Sequence, residues 1–311
     1  MTRTKEIKLL LAEPRGFCAG VRRAINIVEN ALQKYGPPIY IRHEIVHNKH
    51  VIEELKNKGA VFVEGIEEIP ESSVVILSAH GVGLDVIKQA KEKHLTIIDA
   101  TCPLVEKVHR QIQKYAAQNF EIIVIGKSSH PEIIGTLGQI PDYKRIHVIN
   151  SIQEAKKIQI SANVPVGFVT QTTLSVDDTQ EIINVLKTRF PEIEGLQTKD
   201  ICYATTNRQN AIKKIAPLSD CVFVLGSKNS SNSKQLRDVA LKNNAPQAYL
   251  IDDVTEIDWN TLDTCHTFGI SAGASAPEYL VEELIDEFKS RYHKINIQDV
   301  IIAKENINFR L

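Results

Sequence analysis

The sequence predicts an α/β fold made of three related α/β lobes with parallel-type sheets. Two observations carry this. Short apolar runs of strand type alternate with stretches of helical spacing along the chain, the order that builds parallel sheets. One local grammar also occurs three times: an apolar run, a polar turn, a single cysteine, then a helix. Residues 9–11 lead through Glu13-Pro14-Arg15-Gly16-Phe17 to Cys18, and Val21, Ala24, Ile25, Val28 and Leu32 follow at helical spacing. Residues 95–98 lead through Asp99-Ala100-Thr101 to Cys102, followed by Leu104, Val105, Val108 and Ile112. Residues 196–201 lead to Cys202, and Ala211, Ile212 and Ile215 share one face of the helix beyond.

The elements then read in order. The first repeat places strands at 39–41, 60–63 and 74–77, with a helix at 51–55. The second places strands at 122–125, 146–149 and 166–169, and the third at 221–225, 248–251 and 267–270. The expected lobes are 12–99, 100–199 and 200–311, with the N-terminal strand 7–11 added to the third and a C-terminal tail. The segment after Ser290 has no assigned role.

The 311 residues are 43% hydrophobic and 24% charged, an ordinary globular balance. A net charge of −1 offers no basic field for nucleic acid or an anionic membrane. No apolar run approaches the ~20 residues of a membrane span, and residues 1–6 have no signal-peptide core. Five widely spaced cysteines then read as reduced thiols in a cytoplasmic chain rather than a disulfide framework.

Each lobe carries two further polar strand ends. His47, His130 and Ser230 lie 29, 28 and 28 residues beyond their cysteines, and His80, Thr172 and Ser275 lie 62, 70 and 73 beyond. In open parallel sheets, ligand groups gather at the carboxyl ends of strands. Three lobes about a pseudo-threefold axis can bring the three cysteines to one point. Soft thiolates select zinc, copper(I) or iron–sulfur clusters, and a structural zinc site pairs its cysteines in C-x-x-C spacing, absent here. Three isolated cysteines suit a [4Fe–4S] cluster with three protein ligands and one open iron. His47, His80, His130, Ser230, Ser231, Asn232, Thr172 and Ser275 then read as donors around an anionic or phosphate-bearing molecule. Glu132 is the carboxylate among them, and burial beside an anionic cluster raises the pKa of such a group enough for it to deliver a proton.

The segments PRGFCAGV, RHEIVHN, SAHGV, DATCPLV, HPEIIGT, TQTTLSVDDT, ICYATTNRQNA, GSKNSSNS and SAGASAP resemble, in order from about residue 9 to 280, those of the 4-hydroxy-3-methylbut-2-enyl diphosphate reductase (IspH/LytB) family. The resemblance implies three lobes around a [4Fe–4S] cluster held by Cys18, Cys102 and Cys202. It implies that His47, His80, Ser230, Ser231, Asn232 and Ser275 hold the substrate diphosphate, with His130, Glu132 and Thr172 at its hydroxyl end. The activity implied is reductive dehydroxylation of (E)-4-hydroxy-3-methylbut-2-enyl diphosphate to isopentenyl and dimethylallyl diphosphates, the last step of the non-mevalonate isoprenoid pathway. Glu132, with His130 and Thr172, would carry the catalytic proton. A ferredoxin or flavodoxin type donor would bring the electrons.

Blander readings apply to other residues. Cys221 and Cys265 read as small buried hydrophobes. His50, His94, His109, His147, His266 and His293 read as satisfied polar groups. Ser175 with Asp178 reads as a helix cap, and Arg15, Lys127 and Lys228 as solvated or structural. Two other functions fit the architecture: a quinolinate synthase-like three-lobed [4Fe–4S] enzyme, whose dicarboxylate site calls for more cationic groups, and a cluster-based redox sensor on nucleic acid, which calls for a basic stripe.

Overall fold

The computed structural model describes residues 3–161, 164–195 and 200–310. The chain runs β1 (Arg3–Glu13), α1 (Ala19–Tyr35), β2 (Ile39–Arg42), α2 (Lys49–Asn57), β3 (Ala60–Val63), β4 (Val74–Leu77), α3 (Leu84–Glu92) and β5 (Thr96–Asp99). It continues with α4 (Pro103–Ala117), β6 (Glu121–Ile125), α5 (Pro131–Leu137), β7 (Ile146–Ile149), α6 (Ile152–Lys157), β8 (Val166–Thr170) and α7 (Val176–Arg189). Last come α8 (Tyr203–Ile215), β9 (Cys221–Leu225), α9 (Ser231–Lys242), β10 (Gln247–Ile251), β11 (Thr267–Ala272), α10 (Tyr279–Arg291) and β12 (Tyr292–Ile301). Of the strand expected at 196–201, residues 196–199 lie outside the described residues, and Asp200 and Ile201 are not in a strand.

The strands form three sheets, ordered β10-β9-β11-β1-β12, β3-β2-β4-β5 and β7-β6-β8. Every pairing is parallel. The chain divides into two compact units. One comprises Met1–Ala19, His47–Val51 and Tyr203–Asn308 and holds the five-stranded sheet. The other comprises Gly20–Val46, Ile52–Cys202 and Phe309–Leu311 and holds the other two sheets.

In the five-stranded sheet, alternate residues feed two cores, as the period of a strand requires. Leu9, Leu11, Phe223, Leu225, Phe268 and Ile270 face a core closed by Leu284 and Phe288 of α10. Leu10, Ala12, Val222 and Val224 face a second core closed by Ile212 and Ile215 of α8 and Leu236 of α9. Covered on both faces, β9 and β8 are buried along their whole length, which is why they read as continuous apolar runs. In the other unit, Ile123, Ile125 and Phe168 face α7 through Ile182, Ile183 and Leu186, while Ile122, Val124 and Val169 face α4 through Val108, Ile112 and Tyr115.

The cysteine grammar acquires a topological meaning. β5 pairs with β4 in the four-stranded sheet, and Cys102 follows it at the start of α4, from which the chain enters the three-stranded sheet. β1 likewise belongs to the five-stranded sheet, and Cys18 follows it ahead of α1 and β2. These two cysteines stand where the chain leaves one sheet for the next.

The segment after Ser290 forms β12, which pairs with β1 from Glu6 to Glu13 in continuous register. Its residues are mostly exposed, so no apolar period announces the strand.

Phe288 is fully buried and packs on Trp259, Phe268, Phe223 and Tyr292, with ring centroids 4.8–6.3 Å away. Phe288→Ala is expected to destabilise the chain by about 3–5 kcal/mol, read as a lower urea midpoint with an unchanged slope.

Candidate active site

Each unit holds a set of polar residues, most of them at or just beyond the carboxyl ends of strands. In the first unit, Cys18 directly precedes α1 and is half-buried. Its N–H donates to Ala274 O at 3.1 Å, and Gly16 N–H donates to Ala272 O at 3.1 Å. The turn needs glycine: Gly16 has φ +66°, and an added Cβ would lie 3.3 Å from Ala276 O. Arg15 pairs with Glu13 (2.7 Å) and Glu278 (2.6 Å), which makes it structural.

Ser230 caps α9, its Oγ accepting from Ser233 N–H at 3.3 Å and from Ser233 Oγ at 3.0 Å. Asn232 Oδ1 accepts from Ala274 N–H at 2.9 Å, and its amide Nδ2 donates to Thr205 Oγ1 at 3.4 Å. Ser275 Oγ donates to His47 O at 2.9 Å. These bonds gather His47, Ser230, Ser231, Asn232 and Ser275 around the N-terminus of α9, where the first N–H groups have no intrahelical acceptor. Ser230, Ser231, Asn232 and Ser275 are all buried. Lys228 is exposed and pairs with Glu256 at 2.7 Å.

In the second unit, one chain of contacts links the remaining residues. Cys102 is the N-cap of α4, with Pro103 at the first helical position, and its N–H donates to Ala79 O at 3.0 Å. His80 follows Ala79, and its ring meets His130 edge-on with centroids 6.0 Å apart. His130 caps α5: Glu132 N–H donates to His130 Nδ1 at 3.2 Å, so a neutral His130 carries its proton on Nε2. Glu132 accepts from Thr172 N–H at Oε1 (2.7 Å) and from Thr172 Oγ1 at Oε2 (2.9 Å). Thr172 O in turn accepts from Cys202 N–H at 3.0 Å. Cys202 directly precedes α8.

Glu132 is 2% exposed. Burial pushes its carboxyl up to about 7, against the pull of the two Thr172 hydrogen bonds toward the ionised form. The group is therefore poised near neutrality.

Several residues were not signalled by the motif reading. Asp200 is a second buried carboxyl, pushed up to about 6 by burial, with Lys107 Nζ at 3.9 Å. Tyr203 accepts from Ala19 N–H at 3.4 Å, and burial raises its phenol to about 12. Arg208 is buried beneath the Cys18 loop and donates to Gly16 O. Polar residues inside a helical pattern carry no sequence mark of burial, so neither Tyr203 nor Arg208 stands out. His109 corrects the expectation of a satisfied side chain. It is buried against Gly81, its Nε2 has no hydrogen-bond partner among the described residues, and burial lowers it to about 4. Ser175 caps α7 through Asp178 N–H at 3.2 Å, and Cys221 and Cys265 lie in the apolar core. Among the described residues, no three His, Cys, Asp or Glu side chains are grouped so as to hold a metal ion by themselves.

The chain is similar to known proteins over nearly its whole length. A protein from Gluconobacter oxydans named 4-hydroxy-3-methylbut-2-enyl diphosphate reductase is 51% identical, the match covering 99% of this chain and 92% of the relative. The solved E-1-hydroxy-2-methyl-but-2-enyl-4-diphosphate reductase of Plasmodium falciparum superposes with TM-score 0.93 at 38% identity, covering 99% of this chain and 96% of that one. A second solved structure, titled as the (E)-4-hydroxy-3-methyl-but-2-enyl diphosphate reductase that is the terminal enzyme of the non-mevalonate pathway, matches with TM-score 0.63 at 32% identity, over 91% of this chain and 99% of that one. A family model described as LytB protein matches residues 9–289. By the order of its site loops, its parallel sheets and these matches, the chain belongs to the LytB protein family.

Proposed function

We propose that this protein is a 4-hydroxy-3-methylbut-2-enyl diphosphate reductase: it removes the allylic hydroxyl of its substrate as water, adding two electrons and two protons, and leaves isopentenyl and dimethylallyl diphosphates. The reductase names of its relatives support this and do not favour a quinolinate synthase or a redox sensor. The single structural observation that carries the reading is the buried Glu132–Thr172 pair beside His130.

Cys18, Cys102 and Cys202 are the residues that would hold a [4Fe–4S] cluster. The donor set fits: each is a half-buried thiol directly ahead of a helix N-terminus, where partial positive charge favours a thiolate ligand. When bound, such a cluster with one open position supplies single electrons and a Lewis-acidic iron. Ferredoxin or flavodoxin type proteins are the donors suited to such delivery.

The protein's own residues do the binding and the proton transfer. The N-terminus of α9, with Ser230, Ser231, Asn232, Ser275 and His47, offers small neutral donors to the diphosphate. The family resemblance adds His80 to the residues that would hold the diphosphate. At the other end, His130 Nε2–H and Thr172 Oγ1 orient the substrate hydroxyl. With Glu132 ionised, the Thr172 hydroxyl donates to Oε2. With Glu132 protonated, its O–H donates to Thr172 Oγ1 instead, and the threonine hydrogen is released toward the substrate oxygen. A carboxyl near pKa 7 holds and gives up that proton at working pH. Hydroxide is a poor leaving group, so departure as water needs this proton. The remaining allylic fragment can take a proton at either of two carbons, which accounts for two products.

Three outcomes test the proposal. Serine at Cys18, Cys102 or Cys202 is expected to cost most of the iron and sulfide of anaerobically purified protein, whereas serine at Cys221 or Cys265 costs neither. Full iron retention in Cys102→Ser would remove the three-cysteine site.

Asn232→Ala is expected to weaken substrate binding by ~1.5–3 kcal/mol, roughly 10- to 150-fold, with iron content intact. Unchanged affinity in both Asn232→Ala and Ser275→Ala, by calorimetry, would move the diphosphate elsewhere.

Glu132→Gln is expected to keep the iron and bind substrate but lose roughly 10²-fold or more of single-turnover rate with a chemical reductant. Its stability carries a signed pH dependence. Folded Glu132 holds its proton to about pH 7, against a reference value of 4.5, so the folded chain binds the extra proton between these values. The stabilisation belongs to the protonated form and is lost as pH rises through that window. The urea stability of Glu132→Gln relative to wild type should rise by roughly 2–3 kcal/mol between pH 5 and pH 8. A pH-independent difference would show that Glu132 titrates normally.

A further inference from the structure

The loop before Cys18 is held from one side by β11, through Gly16 N–H and Cys18 N–H on the carbonyls of Ala272 and Ala274. From the other side it is held by the end of the chain. Asp299 of β12 lies 3.9 Å from Arg15 Nη1. Ile302 N–H donates to Glu13 O at 2.9 Å. Then Glu305 reaches the loop through Arg208. The Arg208 guanidinium donates to Gly16 O from Nε (3.1 Å) and Nη2 (2.8 Å), and from Nη1 to Ala204 O (3.0 Å). Glu305 Oε1 and Oε2 accept from Nη1 at 3.1 and 3.3 Å, Oε2 accepts from Nη2 at 3.3 Å, and Asn207 Nδ2 donates to Oε1 at 3.0 Å.

These contacts form a chain of dependence. Arg208 is 1% exposed, and a guanidinium that deep needs a counter-charge and full hydrogen bonding. Glu305 supplies the charge, at 14% side-chain exposure, and lies beyond the residues 9–289 that match the family. The two-pronged hold on Gly16 O uses Arg208's planar fork, which a lysine does not reproduce. Gly16 sits at φ +66°, two residues before Cys18, so whatever holds its carbonyl orients the peptides leading to the thiol.

We propose that the segment following β12 is a strap that positions Cys18, acting through Glu305 and Arg208. This rests on the reading of Cys18 as a cluster ligand. Arg208 and Glu305 are positioning residues: neither needs to touch substrate or cluster. Taking either away frees the Gly16 carbonyl, loosens the loop, and makes the Cys18 thiolate the ligand that dissociates first.

The test uses anaerobically purified full-length holoprotein. Loss of iron to bipyridyl is followed optically, and Cys18 is trapped with iodoacetamide and read by peptide mass spectrometry. Leu186→Ala, a core substitution in the other unit, serves as the control for lowered stability. Arg208→Lys and Glu305→Ala are expected to lose iron roughly 10-fold faster or more than wild type, with Cys18 labelled ahead of Cys102 and Cys202. Glu305→Asp should recover part of the loss, and Leu186→Ala should lose iron near the wild-type rate despite a lower melting temperature. Wild-type chelation and labelling rates in both Arg208→Lys and Glu305→Ala would overturn the strap, as would equal acceleration in Leu186→Ala. Cys18→Ser with full iron would overturn the ligand assignment instead, and the Cys18 labelling rate in the other variants would then decide the strap alone.

Discussion

Parallel strand order is the constraint on which the rest depends. All strand pairs run the same way, so each sheet sends its carboxyl-end loops to one edge. Those loops open onto helix N-termini, with their unpartnered N–H groups and positive dipole ends. A chain of net charge −1 can therefore offer neutral hydroxyls and amides to anionic ligands without a cationic patch. The small side chains also keep donors close to the backbone, as in Ser230 at the cap of α9 and His130 at the cap of α5.

Glu132 shows how the second unit sets burial against hydrogen bonding. Two hydrogen bonds from Thr172 favour its carboxylate, yet the desolvation cost of a fully buried charge exceeds them. The balance leaves a carboxyl that changes state near neutral pH while tied to a hydroxyl able to reverse its donor sense. Asp200 meets the same desolvation, but its neighbour is a lysine 3.9 Å away rather than a hydroxyl. Two buried carboxyls in one unit thus have different partners.

The first unit handles charge in the opposite way. Its buried guanidinium is neutralised by a carboxylate from the last described stretch of the chain, and its donors are directed onto carbonyls of the Cys18 loop and α8. Arg15 is enclosed by Glu13, Glu278 and Asp299, so the positive charges of PRGFCAGV and ICYATTNRQNA act on structure rather than on ligand. Burial in an ion network needs tertiary partners, and α10 and β12 provide them.

The sequence by itself determined the alternation of strands and helices, a cysteine directly ahead of three helices and the polar loops at 47, 80, 130, 172, 230 and 275. These features are local, written in apolar period, turn residues and spacing. It also identified Ser175 as a cap and Cys221 and Cys265 as core, because each is set by immediate neighbours or by an apolar run. Only the tertiary structure decided that β5 pairs with β4, and β1 with β11 and β12, since strand partnership joins residues far apart in sequence. It alone decided that an exposed, polar segment becomes β12, because hydrogen bonding to β1 rather than a buried face makes that strand. And it alone decided the states of Glu132, Asp200, His109 and Arg208. Charge and proton affinity follow from desolvation and partners in three dimensions, and no spacing along the chain records them.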